Sequence, residues 1–350
     1  MWNILIGKEG RKAKCQICNK ESEFISDTLK VCLTCIRKKP ELTLKITNNV
    51  HRKIREEYNL PGEPPKDKNG FQCKTCSNSC IIGKGKQGYC GIRKNIDGDL
   101  ETKEGILQTY YDPLPTNCCA AWFCPKSKEM GLSLAVFPFS CTFNCIFCQN
   151  WIHKFIERGD HLTIEHLVTQ AKDARCICYF GGTPEPQLPF LLRATKEILE
   201  NVEANICWEW NGTGNPNLVR KAAEYSYITN GTIKFDLKAF DCNLHTCLTG
   251  RPNKRTLSNF QIIAEEFNKK DLLTATTLLI PGYIDKEEVE KIAGFISNID
   301  NDIPYSLLAF HPDFKMIDMP ITTRKQAEEC YQVAKKYLKR VNIGNRHLLM

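Results

Sequence analysis

Three cysteines, Cys141, Cys145 and Cys148, stand in the stretch Cys-Thr-Phe-Asn-Cys-Ile-Phe-Cys with C-x3-C-x2-C spacing. Three thiolates on one tight loop can hold three irons of a cubane [4Fe–4S] cluster and leave the fourth iron open to another ligand. A structural zinc ion would want a fourth protein ligand close by. Two other sets do have four. Cys15-x2-Cys18 and Cys32-x2-Cys35 are thirteen residues apart, the spacing of a zinc ribbon whose closed tetrahedron leaves no open position. A rubredoxin-like iron site is chemically similar and equally compatible with the spacing. Cys73, Cys76, Cys80 and Cys90 fall within eighteen residues, with Gly83, Gly85 and Gly88 letting the chain loop back. They read as one metal centre, either an auxiliary iron–sulfur cluster or a second zinc. Cys118, Cys119 and Cys124 are less informative. Adjacent cysteines rarely ligate one metal together, so these three read as buried small residues, with an extra ligand or a reactive thiol as the alternative.

Twenty cysteines in 350 residues suggest disulfides in an exported chain and metal sites in an intracellular one. The apolar run at Met1–Gly7 is too short before its charges for a signal peptide, so a cytoplasmic, metal-rich protein is expected. No apolar stretch approaches the ~18 residues of a membrane span, and no membrane partner is expected. The net charge of +8 is uneven. Residues 1–100 hold 20 Lys and Arg against 11 Asp and Glu, and the remaining 250 hold 28 against 29. The basic segment suits an acidic partner such as RNA or a protein surface, or simple solubility.

The elements that must position these groups form a clear pattern. Apolar runs at 132–137, 176–180, 205–210, 232–237, 274–280 and 305–310 alternate with amphipathic stretches at 163–173, 188–202, 216–226, 257–269, 286–298 and 323–339. Near-continuous apolar strands with helical crossovers predict a parallel sheet covered by helices, an α/β fold. Six units predict a partial (β/α)6 barrel, with chemistry on the loops after the strands. The Cys141–Cys148 loop follows the first strand. The expected organisation is a zinc-ribbon-like module at 1–40, a helical connector and linker at 41–70, a Cys-rich module at 71–125, and the barrel at 130–350.

With its strand context, the triplet resembles the radical S-adenosylmethionine (SAM) superfamily. The resemblance implies that the open iron chelates SAM and that one electron then makes a 5′-deoxyadenosyl radical. The strand ends add to it. Gly181-Gly182-Thr183 is similar to the Gly-Gly-Glu motif whose backbone meets the SAM ammonium, with Thr183 in place of Glu. Glu209-Trp210-Asn211-Gly212 and Asp236-Leu237-Lys238 resemble Asp-Thr-Asn-Gly and Asp-Leu-Lys of the glycyl-radical activating enzymes. That implies a monovalent cation held by Glu209 and Asp236, and Lys238 paired with the SAM carboxylate or substrate. Charged groups buried at strand ends are costly unless paired, which independently favours a site. Pro281 and Gly282 are implied as a wall for the adenine, and His311 as a contact to SAM or substrate. The segment 73–90 resembles the Cys-rich module before the barrel in relatives of pyruvate formate-lyase-activating enzymes, and Asn342-Ile343-Gly344-Asn345 resembles the end of this barrel type.

The resulting expectation is a radical SAM oxidoreductase that uses a [4Fe–4S] cluster and SAM, with zinc and a second iron–sulfur cluster as further metals. Its substrate is a glycyl-radical protein, another protein or peptide, RNA or a small molecule, and its electron donor is of the flavodoxin or ferredoxin kind. The rival expectation is a non-catalytic docking or electron-transfer protein on a relic barrel.

Overall fold

A computed structural model gives the structure, and it describes residues 12–100, 102–114, 118 and 120–349. Residues 1–11, which carry the signal-peptide expectation, and Cys119 lie outside them. The described strands are β1 (Ala13–Lys14), β2 (Glu21–Ser22), β3 (Phe71–Gln72), β4 (Ile81–Ile82), β5 (Gly105–Pro113), β6 (Leu132–Pro138), β7 (Asp160–Leu162), β8 (Cys176–Tyr179), β9 (Asn205–Trp210), β10 (Ile233–Asp236), β11 (Leu273–Leu279), β12 (Tyr305–Ala309) and β13 (Val341–Gly344). The helices are α1 (Leu33–Lys38), α2 (Pro40–Glu56), α3 (Ile164–Ala171), α4 (Leu188–Asn201), α5 (Pro216–Thr229), α6 (Cys242–Thr249), α7 (Lys254–Glu266), α8 (Lys286–Ile299) and α9 (Arg324–Lys335).

One sheet organises the molecule, in the order β13-β12-β11-β10-β9-β8-β6-β5-β7. From β6 to β13 each neighbouring pair is parallel. The six expected strands are present in their expected order, and β13 adds a seventh. Strands β5 and β7 extend the other edge in antiparallel register. The expected Cys-rich module at 71–125 is therefore not one separate unit, because β5 belongs to the barrel sheet.

Side chains alternate along these strands, as a pleat requires. Ile177, Tyr179, Ile206, Trp208 and Phe235 are buried on the helix-covered face. Trp208 donates to the Ala222 carbonyl of α5 at 3.0 Å, and Phe235 meets Phe260 of α7 edge-on at 5.4 Å. The other face carries Cys176, Cys178, Cys207, Glu209, Lys234 and Asp236, which line internal cavities. Large apolar groups thus build the core outside the barrel and leave its interior to polar and thiol groups. Caps fix where several crossovers begin. The Thr163, Asp285 and Thr323 side chains accept from the backbone N–H groups of His166, Glu288 and Gln326, each worth about 0.5–2 kcal/mol. Helix α6 was not expected. It is short, opened by Asp241 and closed by Gly250 at a left-handed φ of 75°.

The N-terminal elements do not stand apart from the barrel. Leu29, Val31, Ile36 and Ile54 belong to the same buried cluster as the barrel strands. The Tyr283 hydroxyl, just after β11, accepts from the Ser26 N–H at 3.0 Å and donates to the Val31 carbonyl at 3.0 Å. Thr28 Oγ1 donates to the Lys315 carbonyl at 2.6 Å, and Arg37 forks onto Asp285 at 2.9 Å. The Tyr283→Phe substitution keeps the ring and removes both bonds. It leaves two buried backbone groups without partners, at about 1–3 kcal/mol each. A lower thermal midpoint and faster proteolytic release of residues 12–38 are expected, and a melting curve with timed digestion checks both.

Candidate active site

The loop after β6 presents Cys141, Cys145 and Cys148 to a cleft of about 180 Å3. An irregular loop has no ladder to satisfy its backbone, so its partners must come from elsewhere. Here they come from four directions. The Ser140 hydroxyl donates to the Cys90 carbonyl at 2.6 Å. The Thr142 carbonyl accepts from Asn78 at 2.9 Å, and its hydroxyl accepts from Asn211 Nδ2 at 2.8 Å. The Asn144 and Ile146 N–H groups donate to the Thr249 and Leu248 carbonyls at the end of α6. The Asn144 side chain accepts from Lys154 Nζ at 2.7 Å and meets His51 Nδ1 of α2 at 3.0 Å. Burial pushes the Cys141 thiol up to about 12 and raises Cys145 and Cys148 as well. As thiolates they need a compensating cation, and a metal centre supplies one. Lys154 is buried beside them, and burial together with Arg55 pulls it down to about 8 against the pull of the three thiols.

The turn after β8 closes on this loop. Gly181 has a φ of 96°, and a Cβ there would lie 2.7 Å from the Phe137 ring. At Gly182 a Cβ would lie 2.0 Å from the Ser140 carbonyl oxygen. Two glycines are therefore needed to bring this backbone against the cysteine loop. Thr183 is buried and hydrogen-bonds Glu185, a residue the sequence did not single out. Glu185 also accepts from the Thr213 N–H at 3.0 Å. It is fully buried, and burial raises it to about 7. Glu185 ties the turn after β8 to the one after β9, and its signal in the sequence was only an acid within a Pro-Glu-Pro turn.

Four charges form a ladder across the interior face. Glu209 accepts from Lys234 at 2.9 Å, Lys234 lies 3.3 Å from Asp236, and Asp236 accepts from Lys238 at 2.9 Å. Thr276 donates to Asp236 at 2.7 Å. Burial alone would raise Asp236, but Lys234 and Lys238 outweigh it and hold the carboxylate well below its usual range. Burial would likewise lower Lys238, but Asp236 and the Cys145 thiol hold it above its ordinary value. The sequence reading put a monovalent cation between Glu209 and Asp236. The structure puts the Lys234 ammonium there. Lys234 was overlooked because it lies inside an apolar strand run.

The cleft brings together Cys141, Cys145, Cys148, Gly181, Gly182, Glu209, Asn211, Asp236 and Lys238. Asn211 Nδ2 also lies 3.6 Å from Cys141 Sγ. Other expected site residues do not line it. Gly212 turns at a φ of 76° beneath the Phe235 ring, and its carbonyl accepts from Asn259 at 2.8 Å. Gly282, at a φ of 76°, packs on the Phe24 backbone of the N-terminal segment. Gly282 thus forms part of the seat of that segment, and neither Pro281 nor Gly282 lines the cleft. His311 is half-buried beyond β12, outside the lining.

The two four-cysteine sets differ in geometry. The sulfurs of Cys15, Cys18, Cys32 and Cys35 all lie within 4.8 Å of one another, a span that fits a single ion. Among the described residues, no three of Cys73, Cys76, Cys80 and Cys90 are gathered so closely. This second set folds directly onto the cleft loops. The Ser77 N–H donates to the Thr213 carbonyl, and the Asn215 N–H to the Thr75 carbonyl. Arg93 is buried with Nε and Nη1 lacking partners, and its backbone N–H and its charge both lower the Cys90 thiol against burial. In the cleft itself the ring nitrogens His153 Nδ1 and Trp210 Nε1 also lack partners. Orphaned polar atoms at both places fit the presence of a ligand or cluster.

Residues 136–296 match the family model of the Radical SAM superfamily. The matched segment runs from within β6 to within α8. The chain is also similar to pyruvate formate-lyase-activating enzymes. The one from Staphylococcus aureus is 25% identical over 195 residues, covering 52% of this chain and 75% of that protein. An uncharacterised protein of Methanocaldococcus jannaschii is 25% identical over 299 residues, covering 80% and 82%. Among solved structures, a domain of pyruvate-formate lyase-activating enzyme from Bacteroides vulgatus aligns with a TM-score of 0.40 at 20% identity, covering 48% of this chain and 98% of that one.

Gly182→Ala tests the close approach of the two loops. The added methyl meets the backbone oxygen of Ser140, so the cysteine loop must move. A displacement of about 1 Å can cost roughly 100-fold in a positioned site. Loss of SAM turnover on that scale is expected with the far-ultraviolet circular dichroism unchanged, and paired activity and spectral measurements check it.

Proposed function

We propose that this chain is a radical SAM oxidoreductase that reductively cleaves SAM and abstracts a hydrogen atom from a substrate. The observation that carries it is the convergence of three cysteine sulfurs, the Gly181–Gly182 turn and the charge ladder on one cleft at the C-terminal ends of parallel strands. Cys141, Cys145 and Cys148 would hold a [4Fe–4S] cluster, leaving one iron for SAM. With SAM bound, such a cluster supplies one-electron cleavage of a carbon–sulfur bond. The protein's own residues do the rest. Asn211 steadies Cys141 and Thr142. The Gly181 and Gly182 backbone offers polar groups without a side chain in the way. Lys238, held protonated by Asp236, is a fixed cation for a carboxylate. Lys234 neutralises Glu209 and Asp236, so the interior carries no unpaired acid there.

The N-terminal set at Cys15, Cys18, Cys32 and Cys35 is read as structural zinc, which suits its docking contacts and its single-ion span. The set at Cys73, Cys76, Cys80 and Cys90 is read as an auxiliary iron–sulfur cluster. Its sulfurs are more widely spread, Arg93 offers it positive charge, and its carbonyl at Cys90 touches the SAM-cluster loop. The substrate is a protein, peptide, RNA or small molecule, with a glycyl-radical protein favoured by the likeness to activating enzymes. Electrons would come from a flavodoxin or ferredoxin. The cysteine spacing supports a cytoplasmic setting. Among the described residues no helix is long and apolar enough to cross a membrane.

The reconstituted, dithionite-reduced protein is expected to convert SAM to 5′-deoxyadenosine and methionine. Cys145→Ala should abolish this, because each thiolate of the triplet holds a different iron. Product chromatography decides it, and undiminished turnover in the variant would falsify the mechanism.

A variant with Cys141, Cys145 and Cys148 all changed to Ala isolates the auxiliary set. A remaining iron–sulfur signal that disappears on adding Cys76→Ala is expected, with about one zinc per chain retained in the ribbon. Zinc in place of that signal, seen by metal analysis, would make the second set a structural module instead.

A further inference from the structure

Strand residues that no motif singled out converge on a second cavity, of about 190 Å3, toward the N-terminal ends of the strands. Cys176 and Cys178 of β8 and Cys207 of β9 face it, and Cys118 and Cys124 approach it from the segment between β5 and β6. We propose that these five cysteines supply the thiolates of a further soft-metal centre in the barrel interior, adjoining the SAM cleft.

The case begins with what the pleat does here. The helix-facing positions of β8 and β9 are large and tightly packed. The inward positions are thiols around open space. Cysteines used only as small core residues would be packed against neighbours, whereas these share the wall of a cavity. Cys176 Sγ lies 3.6 Å from Cys207 Sγ. Two thiolates on one ion with ~2.3 Å bonds and tetrahedral angles sit about 3.8 Å apart, so this pair already forms one edge of such a site. It is poorly placed for a disulfide. Cys207 is directly opposite Cys178, and Cys176 is opposite Asn205. Cys176 and Cys207 are therefore diagonal neighbours in a parallel register, farther apart along the backbone than the directly opposite pair Cys178 and Cys207.

Further contacts tie this cavity to its surroundings. Cys118 Sγ lies 3.8 Å from Glu209 Oε1, which brings the segment between β5 and β6 against the wall that carries the strand cysteines. Phe180, Glu209 and Lys234 line both this cavity and the SAM cleft. A metal held here would face the far side of the same residues that shape the cleft. Among the described residues no three of these ligand atoms lie within 4.8 Å of one another, a spread that suits an iron–sulfur cluster better than a single ion, and the measurement separates the two.

Metal and acid-labile sulfide are measured on anaerobically reconstituted wild type, on Cys176→Ser/Cys207→Ser, and on Cys124→Ser, which lies outside the sheet. The expected result is loss of one centre per chain in both variants, with the SAM-cluster spectrum retained. Loss of zinc identifies a single ion, and loss of iron with sulfide identifies a cluster. If the double variant does not fold, Cys124→Ser together with alkylation of wild type decides. In metal-loaded wild type the five thiols should resist alkylation and become reactive once a chelator removes metal. Unchanged metal content in the folded variants would overturn the proposal. So would alkylation that is the same with and without chelator, or a Cys178–Cys207 disulfide in the metal-loaded protein.

Discussion

The structure depends on holding in one place an irregular loop of three cysteines, Cys145 buried and Cys141 and Cys148 half-buried. Such a loop gains nothing from helix or sheet, and every buried N–H or C=O it carries must find a partner elsewhere. The partners come from the segment before the barrel, from α2, from the turn after β9 and from the end of α6. Each supplier is itself anchored. Asn78 is in the Cys-rich segment, His51 in α2, and Asn211 is fixed by the Thr213 hydroxyl donating to its Oδ1 at 2.8 Å. The loop position is therefore a property of segments spread from α2 to α6 and not of the strand that precedes it.

This explains the mixed legibility of the sequence. The strands β6 and β8 to β12 were readable because each is a short, mainly apolar run. The cysteine sets were readable because ligand spacing is short-range. Residues that act across the fold left no such trace. Lys234 sits inside an apolar run and becomes meaningful only when β9 and β11 flank it. Glu185 looks like a turn residue until Thr213 is brought to it. The inward cysteines of β8 and β9 are dispersed by 31 residues and meet only through parallel register. Conversely, Gly282 looked like part of a ligand wall because it follows a strand end. Its left-handed turn instead admits the Phe24 backbone, a contact across more than 250 residues that no local pattern encodes.

The charge ladder shows how the interior remains polar at tolerable cost. Two acids and two lysines alternate along it, so the set is neutral as a whole. A lysine between Glu209 and Asp236 is tethered by its own strand. It needs no ion from solution, and its position is set by the register of β10 against β9. This arrangement also fixes what Lys238 can do. Asp236 and the thiol side of the cleft both favour its charged form, so it acts as a cation and not as a proton acceptor. Proton transfer by Lys238 would require removing the acid that holds it, which is costly for a charge so deeply buried.

The N-terminal cysteine modules follow from the same logic. A ribbon that merely decorated the barrel would have its own small core and a polar interface. Here Leu29, Val31 and Ile36 are continuous with the barrel core, while Ala13, Cys15, Ile25, Cys32 and Cys35 form a small cluster around the ribbon sulfurs. Metal held by those sulfurs would therefore stabilise a segment whose other face closes the end of β11. The module at 73–90 is joined even more directly, through the Cys90 carbonyl and Asn78, to the loop that carries Cys141. Binding energy of a metal at a cysteine cluster is also folding energy for the segment that carries it. Occupancy of one centre should then favour the conformation that the next requires, and the metal centres would assemble as parts of one cooperative structure.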